Sequence, residues 1–129
     1  MHRKRILYLI LIFYCSTLSA SKDNLIIECN EVLIQAIMED NFSPPVASRI
    51  HLYANIAAYE SLCLFDSRVQ SLMGQIKHLP ELSHTSIQNS NRDMTAAFAF
   101  LLTAKKYLYT EDRIDSLIQR IKSTYPDTG

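Results

Sequence analysis

A chain of 129 residues, 48% of them hydrophobic, is long enough for one small domain with a single core and too apolar to be a disordered polymer. Thirteen basic residues balance thirteen acidic ones, which excludes the concentrated basic face of a nucleic-acid binder. With only two glycines, Gly74 and Gly129, tight hairpins and phosphate-cradling loops are poorly supplied, and the abundance of Ala, Leu, Ile and Ser points to an all-α fold.

The first stretch, "MHRKRILYLILIFYCSTLSASKDN", reads as an export signal: a basic start at His2 to Arg5, an apolar run from Ile6 to Tyr14, then small residues. Cleavage after Ser21 would leave Ser19 and Ser21 at the small-x-small positions and send the chain to the periplasm or outside the cell. The apolar run is short of the roughly 20 residues that a membrane span needs. Cys15 keeps open a lipoprotein reading, although Ile12, Phe13 and Tyr14 are bulky for a lipobox. Removing residues 1–21 leaves 10 basic and 13 acidic residues and two cysteines, Cys29 and Cys63, which suit one disulfide or two buried thiols equally.

Domain boundaries follow as a signal over 1–21, a helical domain over 22–125 and a short tail over 126–129. Its first helix falls in "NLIIECNEVLIQAIMED", where Ile26, Ile27, Val32 or Leu33, Ile34, Ile37 and Met38 form a stripe with Glu28, Glu31 and Gln35 opposite and Asp23 as the N-cap. The link "NFSPP" ends it and opens a second helix from about Pro44 to Leu64, with Ser43 as cap and Pro44 in the first turn. Within that helix Val46, Ile50, Tyr53, Ala57 and Leu64 share one side. Ala47, Ala54 and Ala58 form a small-residue stripe beside it, so the helix is expected at the centre of a bundle.

Arg49, Tyr53, Ile56 and Glu60 also align on one face, either lining a cleft or pinning neighbouring elements by hydrogen bonds. His51 and Asn55, four apart, could act together, although a lone His is usually structural. Residues 66–90 turn polar, with Gly74 and Pro80, and read as a connector carrying one short helix near Val69 to Ile76; His78 and His84 sit in it as a weak metal pair. A third helix follows in "NRDMTAAFAFLLTAKKYLY", capped by Ser90 with Asp93, its Lys105-Lys106 doublet read as a solvated face. The fourth, "EDRIDSLIQRIKSTY", is capped by Thr110 and buries Ile114, Leu117, Ile118 and Ile121 before Pro126.

Chemistry is harder to find. The chain has no Gly-x-Ser-x-Gly, no Walker loop, no His-Glu-x-x-His, and no Cys-x-x-Cys or His-x-x-His pair. The carboxylate pairs Glu39-Asp40 and Glu111-Asp112 stand at helix ends, where charge capping accounts for them. No catalytic, cofactor-binding or metal-binding residue is assigned.

The stretch "FSPPVASRIHLYANIAAYESL", with "SLMGQI" and "AAFAFLLTAKKYLYTEDRIDSLIQRI", resembles the N-terminal helical region of exported bacterial proteins of the vanadium-dependent haloperoxidase and type 2 phosphatidic acid phosphatase superfamily. The resemblance covers roughly residues 28–125. It implies a vanadate or phosphate site made of a Lys, two Arg, a Ser, backbone N–H groups and a His, drawn from Arg-Pro, Pro-Ser-Gly-His and Ser-Arg motifs. Arg-Pro and Ser-Gly never occur here, and Ser48-Arg49 lies in the helical motif, so no site residue carries over and no cofactor is expected in this chain.

The ending "STYPDTG" reads as a stop at a helix end, so the expected object is the amino-terminal scaffold of a longer enzyme, inactive alone. Its expected partner is the missing catalytic half, or a second copy through exposed apolar helices. The alternative is a stand-alone exported helical module that binds a protein or a small apolar ligand.

Overall fold

A computed structural model describes residues 25–77, 79 and 91–125. Four helices follow one another: α1 (Leu25–Glu39), α2 (Pro44–Cys63), α3 (Arg92–Lys105) and α4 (Asp112–Thr124). The all-α expectation holds. The export signal, Cys15, Asp23, His78, Pro80, His84 and Ser90 lie outside the described residues.

Helix α1 ends in a Schellman turn that the sequence reading passed over. Asn41 takes a positive φ of 53°, a conformation asparagine tolerates; its N–H reaches Met38 O at 3.3 Å and that of Phe42 reaches Ile37 O at 3.4 Å. This turn reverses the chain and lays the Phe42 ring against the core. Helix α2 then starts on Pro44 and Pro45. Ser43 occupies the N-cap as expected, but its hydroxyl makes no cap bond, because Pro45 removes one amide it would serve and Val46 N–H is taken by the Ser43 carbonyl.

The centre of the unit is α3, not α2. Helix α3 packs against all three others, and Ala96, Ala97, Phe100, Leu101 and Ala104 are buried on it. Helix α2 meets α3 most extensively and buries Ile50, Ala54, Ala58 and Ser61, the small-residue side, while Val46 and Tyr53 stay exposed. Alanines on both helices permit the close approach; of the bulkier stripe Ile50 is buried with them, while Val46 and Tyr53 stay outside. On α1 the buried line is Cys29, Leu33, Ala36 and Ile37. Ile27, Ile34 and Met38, counted in the expected stripe, are exposed. Helix α4 alone follows its amphipathic pattern as read, burying Ile114, Leu117, Ile118 and Ile121.

Two caps differ from expectation. Asn91 caps α3, its side chain accepting from Asp93 N and Met94 N. Thr110 does not cap α4, whose N-cap position is Glu111; its N–H is held by the Asp40 carboxylate instead. The expected short helix near Val69 to Ile76 is a pair of turns, in one of which Gly74 adopts a φ of 78° that other residues rarely take.

Candidate functional site

Helices α1 and α4 run antiparallel, and a groove of about 410 Å³ opens between them, lined by Val32, Gln35, Asp112, Arg113, Ser116, Leu117 and Arg120. Val32 and Leu117 supply its apolar floor beside the core. Arg113 and Arg120 stand two turns apart on α4, so both project to the same side. Each is met by α1: Arg113 donates to Glu39 and, at 3.3 Å, to Gln35 Oε1, and Arg120 donates to Glu28. The hydrogen bond and charge of Arg113 hold the Glu39 carboxyl below the usual carboxylate range, and Glu39 raises Arg113 in return.

The groove thus presents two guanidinium groups, the Ser116 hydroxyl and the Asp112 carboxylate, with no histidine among the residues that line it. Sequence reading missed both arginines because each looked like the ordinary polar side of an amphipathic helix. A signal was present: Glu28 and Gln35 on α1 and Arg113 and Arg120 on α4 both recur at seven residues, which is the register of two facing helices.

The face singled out on α2 comes apart in the structure. Glu60 is 4% exposed and pins the connector, its Oε2 accepting from Ser71 Oγ at 2.6 Å and its Oε1 from Leu72 N at 2.7 Å. Tyr59 OH donates to Gln70 O at 2.8 Å and adds a second tie. Tyr53 stacks in a tilted arrangement on Tyr107, with centroids 5.4 Å apart. Arg49 is exposed, so the four residues share no cleft. The hydrogen-bonding alternative is the one realised, by Glu60.

His51 and Asn55 do not act as a pair through the imidazole. Asn55 Nδ2 donates to the His51 carbonyl at 2.8 Å and to Asn30 Oδ1 at 3.3 Å, bridging α1 to α2. Lys105 is not merely solvated: its Nζ meets Asp115 at 2.6 Å and Glu111 at 2.9 Å, tying the end of α3 to the start of α4 and raising its pKa. Glu39 and Asp40 serve α4 and the loop before it rather than capping α1. Cys29 and Cys63 are both free thiols, the first in the core. Among the described residues no group of three His, Cys, Asp or Glu could hold a metal ion, and no helix is long and apolar enough to cross a membrane.

This arrangement of four helices has a counterpart. The chain is similar to a bacterial vanadium-dependent iodoperoxidase of known crystal structure. The two superpose with a TM-score of 0.73 at 29% identity over 78% of this chain. The match takes in 25% of the iodoperoxidase chain, so this chain spans about a quarter of that protein's length. No family profile and no curated protein matches it. The likeness to the iodoperoxidase supports the superfamily to which the α2 and α3 motifs pointed.

Proposed function

We propose that the chain is the amino-terminal helical scaffold of a vanadium haloperoxidase-like or acid phosphatase-like protein, exported, and without catalytic activity of its own. The observation that carries this reading is the superposition on the iodoperoxidase over one quarter of that chain. A vanadate or phosphate site needs several converging cations and N–H donors. The described residues do not fit one: Arg113 and Arg120 are each committed to a carboxylate of α1, and Arg49 stands alone on α2. In this reading the chain positions a catalytic part by offering it apolar helix faces, and the exposed Val46, Tyr53, Leu102 and Tyr107 support such a role.

Reading the genomic sequence that follows the codon for Gly129, in all frames, tests the proposal. Arg-Pro, Pro-Ser-Gly-His and Ser-Arg with a distal His are expected there; an unrelated gene sinks the scaffold reading. The second reading, a stand-alone binding module, is favoured by the groove between α1 and α4. Cooperative unfolding without binding of a hydrophobic dye would support it.

A further inference from the structure

Helix α4 is held to the rest of the unit in a way the other helices are not. Apart from the local Asp66–Arg68 pair in the connector, every ion pair among the described residues ends on α4 or its N-cap. From α1, Glu28 meets Arg120 and Glu39 meets Arg113; from α3, Lys105 meets Glu111 at 2.9 Å and Asp115 at 2.6 Å. Asp40 adds a further tie by accepting the Tyr109 and Thr110 amides in the loop before α4. Helices α1, α2 and α3 are joined otherwise. The α2–α3 contact is the most extensive in the unit and is built on buried alanines of both helices, and the Asn30–Asn55 bridge between α1 and α2 is neutral. Helix α4 meets α1 and α3 but not α2, and the loop over 106–111 is its one covalent link to the other described helices.

Each exposed pair alone is worth about twofold to fivefold in an equilibrium constant. All the ties act on the one equilibrium in which α4 leaves, so their factors multiply. A carboxylate stands on one side of every tie: Glu28, Glu39 and Asp40 face α4 and its loop from α1, and Glu111 and Asp115 answer Lys105 of α3. Asp112, Arg113 and Arg120 complete the charged groups on that side of α4. His51 stands on α2, which α4 does not meet, and the Cys29 thiol, pushed up to about 12, stays neutral in acid. Glu39 and Asp40 are held below the ordinary carboxyl range, so their ties are lost as pH falls through those lowered values. Protonating Asp112 and Asp115 also strips negative charge from the first turn of α4, where the helix dipole favours it. We propose that α4 is an ionic latch: in acid it lets go of α1 and α3 as one unit while α1, α2 and α3 stay folded together, uncovering the apolar surface that Ile114, Leu117, Ile118 and Ile121 occupy.

The inference rests on where the ties fall and not on the scaffold reading. Native-state hydrogen exchange of the protein, purified as the cell processes it and followed amide by amide from pH 7 to about 3, tests it. Protection, corrected for the intrinsic pH dependence of exchange, is expected to fall about a hundredfold or more at Leu117, Ile118 and Ile121 while Ala97, Phe100 and Leu101 of α3 keep theirs. Arg113→Gln combined with Arg120→Gln removes two ties from exposed positions. It should cost the α4 amides about tenfold in protection at pH 7, leave α3 unchanged, and make the remaining fall in acid smaller. Loss of α3 protection in step with α4, no selective loss on α4 in acid, or an undiminished acid fall in the doubly substituted chain would overturn the proposal. The pH series of the parent protein decides by itself if the substituted chain does not fold. None of these results bears on the genomic test, and finding no catalytic motifs there would leave the latch standing.

Discussion

The Asp40 carboxylate accepts the backbone N–H of Tyr109 at 2.8 Å, across 69 residues of chain, and that of Thr110 at 3.1 Å. It comes from the Schellman turn whose next apolar residue, Phe42, stacks on Tyr109 at 5.1 Å. One turn therefore closes α1 and fixes the loop that delivers α4. Partial desolvation works against ionised Asp40, but the bonds from the Thr110 side chain and the two amides outweigh it and lower its pKa. Glu39 is lowered too, by Arg113. A carboxyl depressed in the folded state binds fewer protons there than when unfolded, so its contribution is present above the ordinary carboxyl range and lost as pH falls through the folded value. The contribution of these two carboxyls to the urea midpoint should hold steady from pH 7 to about 5 and decline below that. Asp40→Ala should cost roughly 1 kcal/mol at pH 7, the exposed setting screening the bonds, and should flatten the acid limb.

His51 adds a separate step. It is half-buried on α2, and desolvation lowers its pKa below the ordinary 6.5. Here the folded state favours the neutral ring, so stability is full above the ordinary value and erodes as pH falls through it. The outcome expected for His51→Gln is loss of this shallow slope near pH 6 with the carboxyl limb intact, read from urea midpoints at half-unit intervals of pH. A slope that survives the substitution would assign it elsewhere.

Glu60 is the pin of the connector. Glu60→Ala leaves the Leu72 N–H and the Ser71 hydroxyl without their acceptor at a nearly buried position, and should cost roughly 1–3 kcal/mol. Its local effect should exceed its global one: the Leu72 amide should exchange faster, and protease should cut between residues 66 and 77. Met73 N also leans on Ser71 Oγ at 3.0 Å, so Ser71→Ala should loosen the same turn less severely.

Helix existence was legible because proline, glycine and polar runs punctuate the apolar segments, and α4 was legible in full because it has one apolar side. Helices α1 and α2 carry two, and periodicity cannot say which side faces α3. On α2 the alanines won because a close helix contact excludes larger side chains. The Schellman turn hid because Asn41, not glycine, takes the left-handed position. Glu39, Asp40, Arg113 and Arg120 hid for another reason: ionic ties between elements far apart in sequence leave no local pattern.

Phe100 is fully buried on the central helix, and Ala54 is fully buried on α2. Phe100→Ala should cost about 3–5 kcal/mol, enough to populate unfolded chain in a domain this small. The informative companion is Ala54→Leu. Adding methylenes to a closely packed alanine contact should destabilise by about 1–3 kcal/mol, although the change raises hydrophobicity. Denaturant midpoints check both, and an unchanged midpoint for Ala54→Leu would mean that α2 and α3 do not pack as closely as their alanines allow.

Cys29 lies at 0% exposure on α1, and burial, with Glu28 beside it, pushes its thiol up to about 12. Only the thiolate attacks an alkylating agent, so at pH 8 the native Cys29 is protected twice, by access and by ionisation. Cys63, at the end of α2, is partly accessible; desolvation and Glu60 raise its thiol as well. Iodoacetamide at pH 8 should therefore label Cys63 slowly and Cys29 not at all until denaturant is added, when both should react at the rate of a free thiol. Mass spectrometry of the peptides containing each residue reads the two sites separately. Equal native labelling would show that α1 opens from the core far more often than its buried line of Cys29, Leu33, Ala36 and Ile37 permits, and a Cys29–Cys63 disulfide would show that the two helices are joined otherwise.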